Sequence, residues 1–264
     1  MDSVWTTTTE VAERGHRSAL AWRDGVGTPL VLCHSVTLDH RMWAPVVGRL
    51  PGGVPVLAYD VRGHGPGAFD GPFDFAACAL DLVAHLDRLG LDRVHLAGVS
   101  MGGAVAQEFA IRHGARLTAL TLLATGPRGR KASGDRAAVT SRAGLLALVA
   151  PTLARWLTPA FVAAGGPWVD YVRDRIAGFD VGVWRAAWTA LGERDVTAHL
   201  GDIAVPTRCV AARDDASTPV ARMAELADAI PGGRLVEIAG PHLSPIEEPD
   251  AVAAVLADPA GRTS

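Results

Sequence analysis

Gly98-Val99-Ser100-Met101-Gly102-Gly103 sits between a buried apolar run, Val94-His95-Leu96-Ala97-Gly98, and an alanine-rich helical pattern from Met101 to His113. A strand that turns directly into a helix holds the residue at the turn, here Ser100, in a tight and strained conformation. Gly98 and Gly102, two places on either side, let strand and helix approach closely. The hydroxyl then stands clear of the sheet, and the N–H of Met101 points into the same space from a helix N-terminus. The same glycine-rich pattern serves elsewhere as a plain structural turn or a dinucleotide loop. The G-x-G-x-x-G register of the latter is absent here, so the reading is an exposed serine nucleophile.

On both sides of this turn the chain alternates strand and helix. Leu30–Cys33, Val54–Tyr59, Val94–Gly98 and Leu117–Ala124 are nearly continuous in hydrophobicity, the pattern of strands buried on both faces of a parallel sheet. Phe75–Leu89 places apolar residues at Ala79, Leu80, Leu82, Val83, Leu86 and Leu89, a helical spacing. The alternation stops after Gly126. From there to Gly201 the pattern is helical, with loops expected at 129–134, 165–167 and 178, and four of the seven tryptophans fall in it: Trp156, Trp168, Trp184 and Trp188. Strands return at 207–212 and 234–238, each followed by a helix (220–229 and 249–257). The expected fold class is α/β, a doubly wound, mostly parallel sheet formed by 1–125 and 202–264 and interrupted by a helical insertion at 126–201.

A serine hydroxyl needs a base, and the base needs an acid to orient it. In such a sheet both belong at strand C-terminal ends downstream of the serine. Arg213-Asp214-Asp215-Ala216-Ser217-Thr218-Pro219 follows one strand and offers two acids. Ala239-Gly240-Pro241-His242-Leu243 follows the next and offers a histidine. Ser100, an acid at 214 or 215, and His242 therefore form a candidate catalytic set, against the plainer readings of a turn aspartate and a surface histidine.

Composition narrows the classes. The 264 residues are 49% hydrophobic, with a mean hydropathy of +0.20, enough to build a large core. The net charge is −3, and every basic residue except Lys131 is an arginine. The arginines are scattered with no basic face, which argues against nucleic acid as partner. Met1-Asp2-Ser3-Val4-Trp5 does not open a signal peptide, and the longest greasy segment, 143–150, is far short of the ~20 residues of a membrane span. Cys33, Cys78 and Cys209 match no zinc spacing and read as reduced, buried residues of a soluble cytoplasmic protein. No metal and no organic cofactor is called for.

Further stretches are similar to the α/β-hydrolase family, and within it to the 3-oxoadipate enol-lactonases and related serine esterases. Asp60-Val61-Arg62-Gly63-His64-Gly65 resembles the family's D-x-R-G-x-G loop, and Asp39-His40-Arg41-Met42-Trp43 resembles a D-x-R-M-W stretch of the lactonases. Gly98-Val99-Ser100-Met101-Gly102-Gly103 resembles their G-L-S-M-G-G, and Arg155-Trp156-Leu157-Thr158-Pro159 their R-W-F-T-P. Asp215-Ala216-Ser217-Thr218-Pro219 is similar to a D-x-x-T-P pattern whose first residue is the triad acid, which favours Asp215 over Asp214. The resemblance runs from about Pro29 to Val255. It implies a hydrolase sheet with a helical cap at 126–201 and an oxyanion hole made by the N–H groups of Met101 and Val36. His34-Ser35-Val36-Thr37 departs at His34 and Thr37 from the lactonase N-S-L-G-T.

The activity implied is cleavage of a small ester or lactone through an acyl-enzyme, with Ser100 as nucleophile, His242 as base and Asp215 as acid. The same triad also serves C–C hydrolases, thioesterases, and lyases or cyclases acting on a biosynthetic intermediate; a ligand-binding receptor that has lost turnover is the non-enzymatic alternative. An oxoadipate-type enol-lactone carries a carboxylate and needs a cation, for which the insertion offers Arg155, Arg173, Arg175 and Arg185. His64, His34 and Cys33 read as packing residues, Arg62 as a structural ion-pair partner, and the insertion tryptophans as core more than substrate platform.

Overall fold

The computed structural model describes residues 4–14, 16–66, 69 and 73–258. Residues 1–3 and 259–264, at the outer ends of the two expected sheet segments and including the start of the stretch read for a leader, lie outside these. Eight strands form one sheet: β1 (Thr7–Glu13), β2 (His16–Arg23), β3 (Leu30–Cys33), β4 (Val56–Tyr59), β5 (Val94–Val99), β6 (Leu117–Leu123), β7 (Thr207–Ala212) and β8 (Arg234–Ile238). Their spatial order is β1-β2-β4-β3-β5-β6-β7-β8. β1 and β2 pair antiparallel, as do β2 and β4, and every other neighbouring pair is parallel.

Between β3 and β4 lies a short helix, α1 (Ala44–Val47). α2 (Phe75–Arg88) precedes β5 and α3 (Met101–His113) follows it. Six helices separate β6 from β7: α4 (Lys131–Ala137), α5 (Arg142–Ala147), α6 (Val149–Trp156), α7 (Pro159–Ala164), α8 (Pro167–Gly178) and α9 (Val181–Glu193). α10 (Val220–Ala229) follows β7, and α11 (Ser244–Glu247) and α12 (Pro249–Ala257) follow β8. Among the described residues no helix is long and apolar enough to cross a membrane.

The apolar runs read as central strands are buried throughout: every residue of β3, β4 and β5 is inaccessible, as expected where helices cover both faces. β1, β2 and β8 depart from that signature. β1, with the sequence TTTEVAE, is an exposed edge strand, and β2 joins it to the sheet. The stretch at 129–134 expected to be a loop already enters α4 at Lys131. α2 starts where Asp74 accepts the N–H of Ala77 at 2.6 Å, and α9 starts under Asp180.

The centre of the sheet is set by glycine. A β-carbon on Gly98 would lie well under 3.0 Å from the Gly102 carbonyl, and one on Gly102 equally close to the carbonyl of Cys33. The ends of β5 and β3 and the first turn of α3 are therefore in backbone contact. Cys33 also pairs in register with Gly98.

His34, His64 and His95 are three of the buried histidines. His34 accepts the Val61 N–H at 2.9 Å, and its ring lies 5.1 Å from that of His64. His95 meets the Thr121 hydroxyl at 2.8 Å. Burial pushes all three pKa values down, His95 to about 3 with help from the charge of Arg208, and His64 with help from His34. His40 shifts the other way. Burial opposes its charge, but the bond to Asp60 and the negative charges of Asp60 and Asp39 together outweigh burial and raise its pKa.

Two outcomes follow from this packing. Gly102→Ala should cost about 2–3 kcal/mol of folding free energy in urea denaturation, because no flexible side-chain end can yield to the new methyl; a loss under about 0.5 kcal/mol would show that α3 can back away from β3. The lowered histidines bind protons more readily unfolded than folded, so their contribution is complete above the unfolded value near 6.5 and is lost as pH falls below it. Between pH 6.5 and 5 stability should therefore drop by more than the about 1.4 kcal/mol per pH unit that a single buried histidine gives, His40 offsetting part. A flat profile over that range would contradict the burial of these rings as neutral species.

Candidate active site

Ser100 links β5 to α3 at φ +56°, ψ −112°, a strained backbone for a residue with a side chain. Its carbonyl accepts the Thr125 hydroxyl at 2.9 Å, and its N–H donates to Leu123 at the end of β6. Met101 is the first residue of α3, so its N–H has no carbonyl one turn earlier in the helix to bond. The carbonyls of Cys33 and His34, at the start of the loop that carries Val36, press on Gly102.

Within this loop Thr37 adopts φ +67°, at the place where the similar lactonase stretch has glycine. A β-branched residue in the left-handed region stores on the order of 1–3 kcal/mol. Arg175 braces it. Its guanidinium donates to Thr37 at 3.0 Å, Leu38 at 3.3 Å and His64 at 3.0 Å, and pairs with Asp39 at 3.3 Å.

Asp215 and His242 stand where the chain leaves β7 and β8. Asp215 is buried and its Oδ2 accepts from His242 Nδ1 at 2.8 Å. Its Oδ1 accepts the N–H groups of Ser217 at 2.6 Å and Thr218 at 2.8 Å, so both carboxylate oxygens have donors. Asp214 is exposed.

The stretch 155–158, at the end of α6, ties these loops together. Arg155 Nε donates to the Ser217 hydroxyl at 3.0 Å, beside the acid. The Trp156 ring stacks on the His242 ring, 6.0 Å between centroids and 29° between planes, and the Trp156 carbonyl accepts the Leu243 N–H at 3.0 Å. Thr158 bonds Glu247 in α11 through both N–H and hydroxyl.

Ser100 and His242 line one cavity of about 100 Å³, together with Trp156, Trp188 and residues of the loop after β6. A single water needs about 10–15 Å³ on a measure of this kind, so the cavity admits a small group and not only a lone water. Of the four arginines offered as cations, Arg155 lines it; Arg175 braces the loop after β3, Arg173 pairs with Asp170 on the surface, and Arg185 is exposed. Arg128, Arg130, Arg136, Arg194 and Arg222 also line it, and sequence reading did not find them. Trp184 is core and Trp168 packs edge-on against Tyr171, so two of the four insertion tryptophans face the cavity.

His34 and His64 are buried, with the Nδ1 atoms facing the carbonyls of Ser35 and Arg62. Arg62 forms a two-pronged ion pair with Asp81, both contacts 2.7 Å. Burial pushes the Cys33 thiol up to about 12, despite its bond to Tyr59. Asp39, His40 and Asp60 have ligand-type atoms within 4.8 Å of one another. Burial disfavours the charge on Asp39, but the bond from Arg41 and the charge of Arg175 prevail and hold its carboxyl well below the usual range. With His40 spent on Asp60, this cluster is an ion-pair network with its charges already balanced.

Residues 30–255 match the alpha/beta hydrolase family. The chain is 29% identical over 223 residues to 3-oxoadipate enol-lactonase 1 of Acinetobacter baylyi, covering 84% of each. It is 32% identical over 232 residues to the putative carbamate hydrolase RutD of Pseudomonas savastanoi pv. phaseolicola, covering 83% of this chain and 88% of the relative. The crystal structure of the enol-lactonase from Burkholderia xenovorans LB400 superposes with a TM-score of 0.87 at 30% identity, covering 95% of this chain and 98% of that one. Strand order, elbow and sequence agree, and the chain belongs to the α/β hydrolase family of enzymes.

Proposed function

We propose that this enzyme is a serine hydrolase that cleaves an ester or lactone through an acyl-enzyme, with Ser100 as nucleophile, His242 as general base and Asp215 as the orienting acid. The observation that carries the reading is the 2.8 Å contact from His242 Nδ1 to a buried Asp215, with His242 lining the same cavity as the strained Ser100. A proton fixed on Nδ1 leaves Nε2 free to take the serine proton as Oγ attacks the carbonyl. The carbonyl oxygen gains charge and is received by the N–H groups of Met101 and Val36, each donor contributing about 2.7–4 kcal/mol in sites of this kind. His242 then gives its proton to the leaving oxygen, and water repeats the sequence on the acyl-enzyme. The segment 126–201 acts as a cap that encloses the substrate. Similarity to an enol-lactonase supports ester or lactone bonds over thioester or C–C bonds.

A fluorophosphonate probe should label Ser100 alone, and an adduct on Ser35 or Ser217 would refute the nucleophile. On an activated ester, Asp215→Asn should lower kcat by about 10⁴ through the wrong imidazole tautomer, while exposed Asp214→Asn changes it little. His242→Ala should be about as damaging as Ser100→Ala, since the members act as a unit. A panel of esters, lactones, thioesters and vinylogous diketones sorts the reaction classes; fastest turnover on a diketone or thioester would displace the ester reading.

A further inference from the structure

Arg128, Arg130, Arg136, Arg155, Arg194 and Arg222 line the cavity beside Ser100, and among the described residues no aspartate or glutamate lines it. Among the described residues, the one carboxylate within 4.0 Å of any of them is Glu225, 3.9 Å from Arg128 on the surface. The guanidiniums converge in groups. Arg130 donates to the Ser217 carbonyl and Arg155 to its hydroxyl. Arg222 donates to the Arg128 carbonyl and lies where a side chain on Gly126 would be, while Arg194 donates to the Gly126 carbonyl at 2.9 Å and to Gln107 at 3.0 Å. Arg136 lies over the Trp188 ring, 4.8 Å from its centroid.

Burial tells on these groups. Arg136 is pushed down to about 10, first by burial and then by the charge of Arg155. Burial also lowers Arg194 to about 10 against the pull of Glu108 and Asp195, and lowers Arg222, with help from Arg130 and Arg128, against the pull of Glu225. Carbonyl capping alone does not explain this choice of residue, because a neutral amide would donate to the same carbonyls without desolvating a charge. Arg128 and Arg130 are exposed, but Arg136, Arg155, Arg194 and Arg222 are partly buried, and such like charges persist at lower cost where a bound anion completes the cluster. The Arg194 Nε has no partner and is buried, an unspent donor within the cluster.

We propose that the substrate of this site carries at least two negative charges, as paired carboxylates or a phosphate group, held by Arg130, Arg136, Arg155 and Arg222 while its acyl carbonyl meets Ser100. The inference rests on the serine-hydrolase reading for the carbonyl and on the arginines for the charge. A single carboxylate, engaging one or two guanidinium forks, leaves most of the cluster unbalanced. The cavity's volume suits a compact dianion over a long acyl chain.

Two measurements separate the two readings. In the first, wild-type enzyme hydrolyses nitrophenyl esters of butyrate, glutarate and tricarballylate, whose acyl parts carry no, one and two free carboxylates. kcat/KM should rise by about tenfold or more with each charge, and the rise should shrink with added salt. In the second, calorimetry on Ser100→Ala compares butyramide, butyrate, glutarate and glycerol 3-phosphate. The dianions should bind at least about tenfold more tightly than butyrate, and whichever of glutarate and the phosphate binds better identifies the head group. Arg155→Gln and Arg136→Gln should erase the preference, and the lysine variants should restore it in part, because lysine keeps the charge and loses the fork. The lysine variants also guard against a folding defect. Turnover of all three esters with equal kcat/KM, and no dianion preference in binding, would overturn the dianion proposal and leave the hydrolase standing. Tight dianion binding with no hydrolysis of any ester would do the reverse.

Discussion

Backbone-to-backbone contact between the start of α3 and the ends of β3 and β5 organises the centre of this molecule. Gly102 lies against the Cys33 and His34 carbonyls, and Gly98 lies against Gly102. That contact forces the chain through a positive φ at Ser100, because strand must become helix within one residue and without lateral room. It also brings the start of the loop after β3 against the first turn of α3. The local strain at Ser100 and Thr37 is held by bonds made elsewhere: Thr125 and Leu123 on one side, Arg175 on the other. Strain of this kind persists only where the surroundings over-determine the backbone.

The stretch Arg155-Trp156-Leu157-Thr158 performs the matching task for the other two loops. The acid and base loops leave adjacent parallel strands, and nothing in a β-ladder fixes how such loops approach each other beyond the strand ends. Arg155 reaches the Ser217 hydroxyl, Trp156 covers the His242 ring and anchors Leu243, and Thr158 grips Glu247. The helical segment between β6 and β7 therefore does more than cover a pocket. It holds His242 at its distance from Asp215, and movement of α6 would be felt at the imidazole.

What could be read from the sequence follows from range. The buried strands, α3 and the Ser100 turn each rest on a contiguous stretch with its own periodicity, and the structure has them within a residue or two. Asp215 and His242 could be paired from the sequence because a parallel sheet gathers strand ends, so position along the chain translates into position in space. β1 was missed because an exposed edge strand lacks an apolar run, and β2, largely buried between β1 and β4, because His16, Arg17 and Ser18 break up its apolar run. The significance of glycine in the N-S-L-G-T stretch became physical only with φ at Thr37 in hand. The arginines of the cavity come from five separate places, the loop after β6, α4, α6, the end of α9 and α10, and no local pattern marks them. A net charge of −3 over the whole chain conceals them altogether.

That concealed charge bears on the chemistry itself. In the proposed mechanism His242 becomes a cation as Ser100 attacks, and it does so in a cavity walled by guanidiniums. One buried carboxylate, Asp215, faces it directly. In an empty site the imidazolium would form against repulsion at low effective dielectric, where like charges a few ångströms apart interact strongly. An anionic substrate changes the balance. Once its charges neutralise the arginines, the field at the imidazole loses its repulsive part while the attraction of Asp215 remains. The oxyanion forming near Met101 and Val36 adds to that attraction. Binding energy from groups remote from the scissile bond is then expressed in the transition state, which raises kcat and not only affinity. A neutral substrate of the same shape would fill the cavity and leave the repulsion in place. Selection for charge would thus be built into the catalytic step, through the same arginines that shape the pocket.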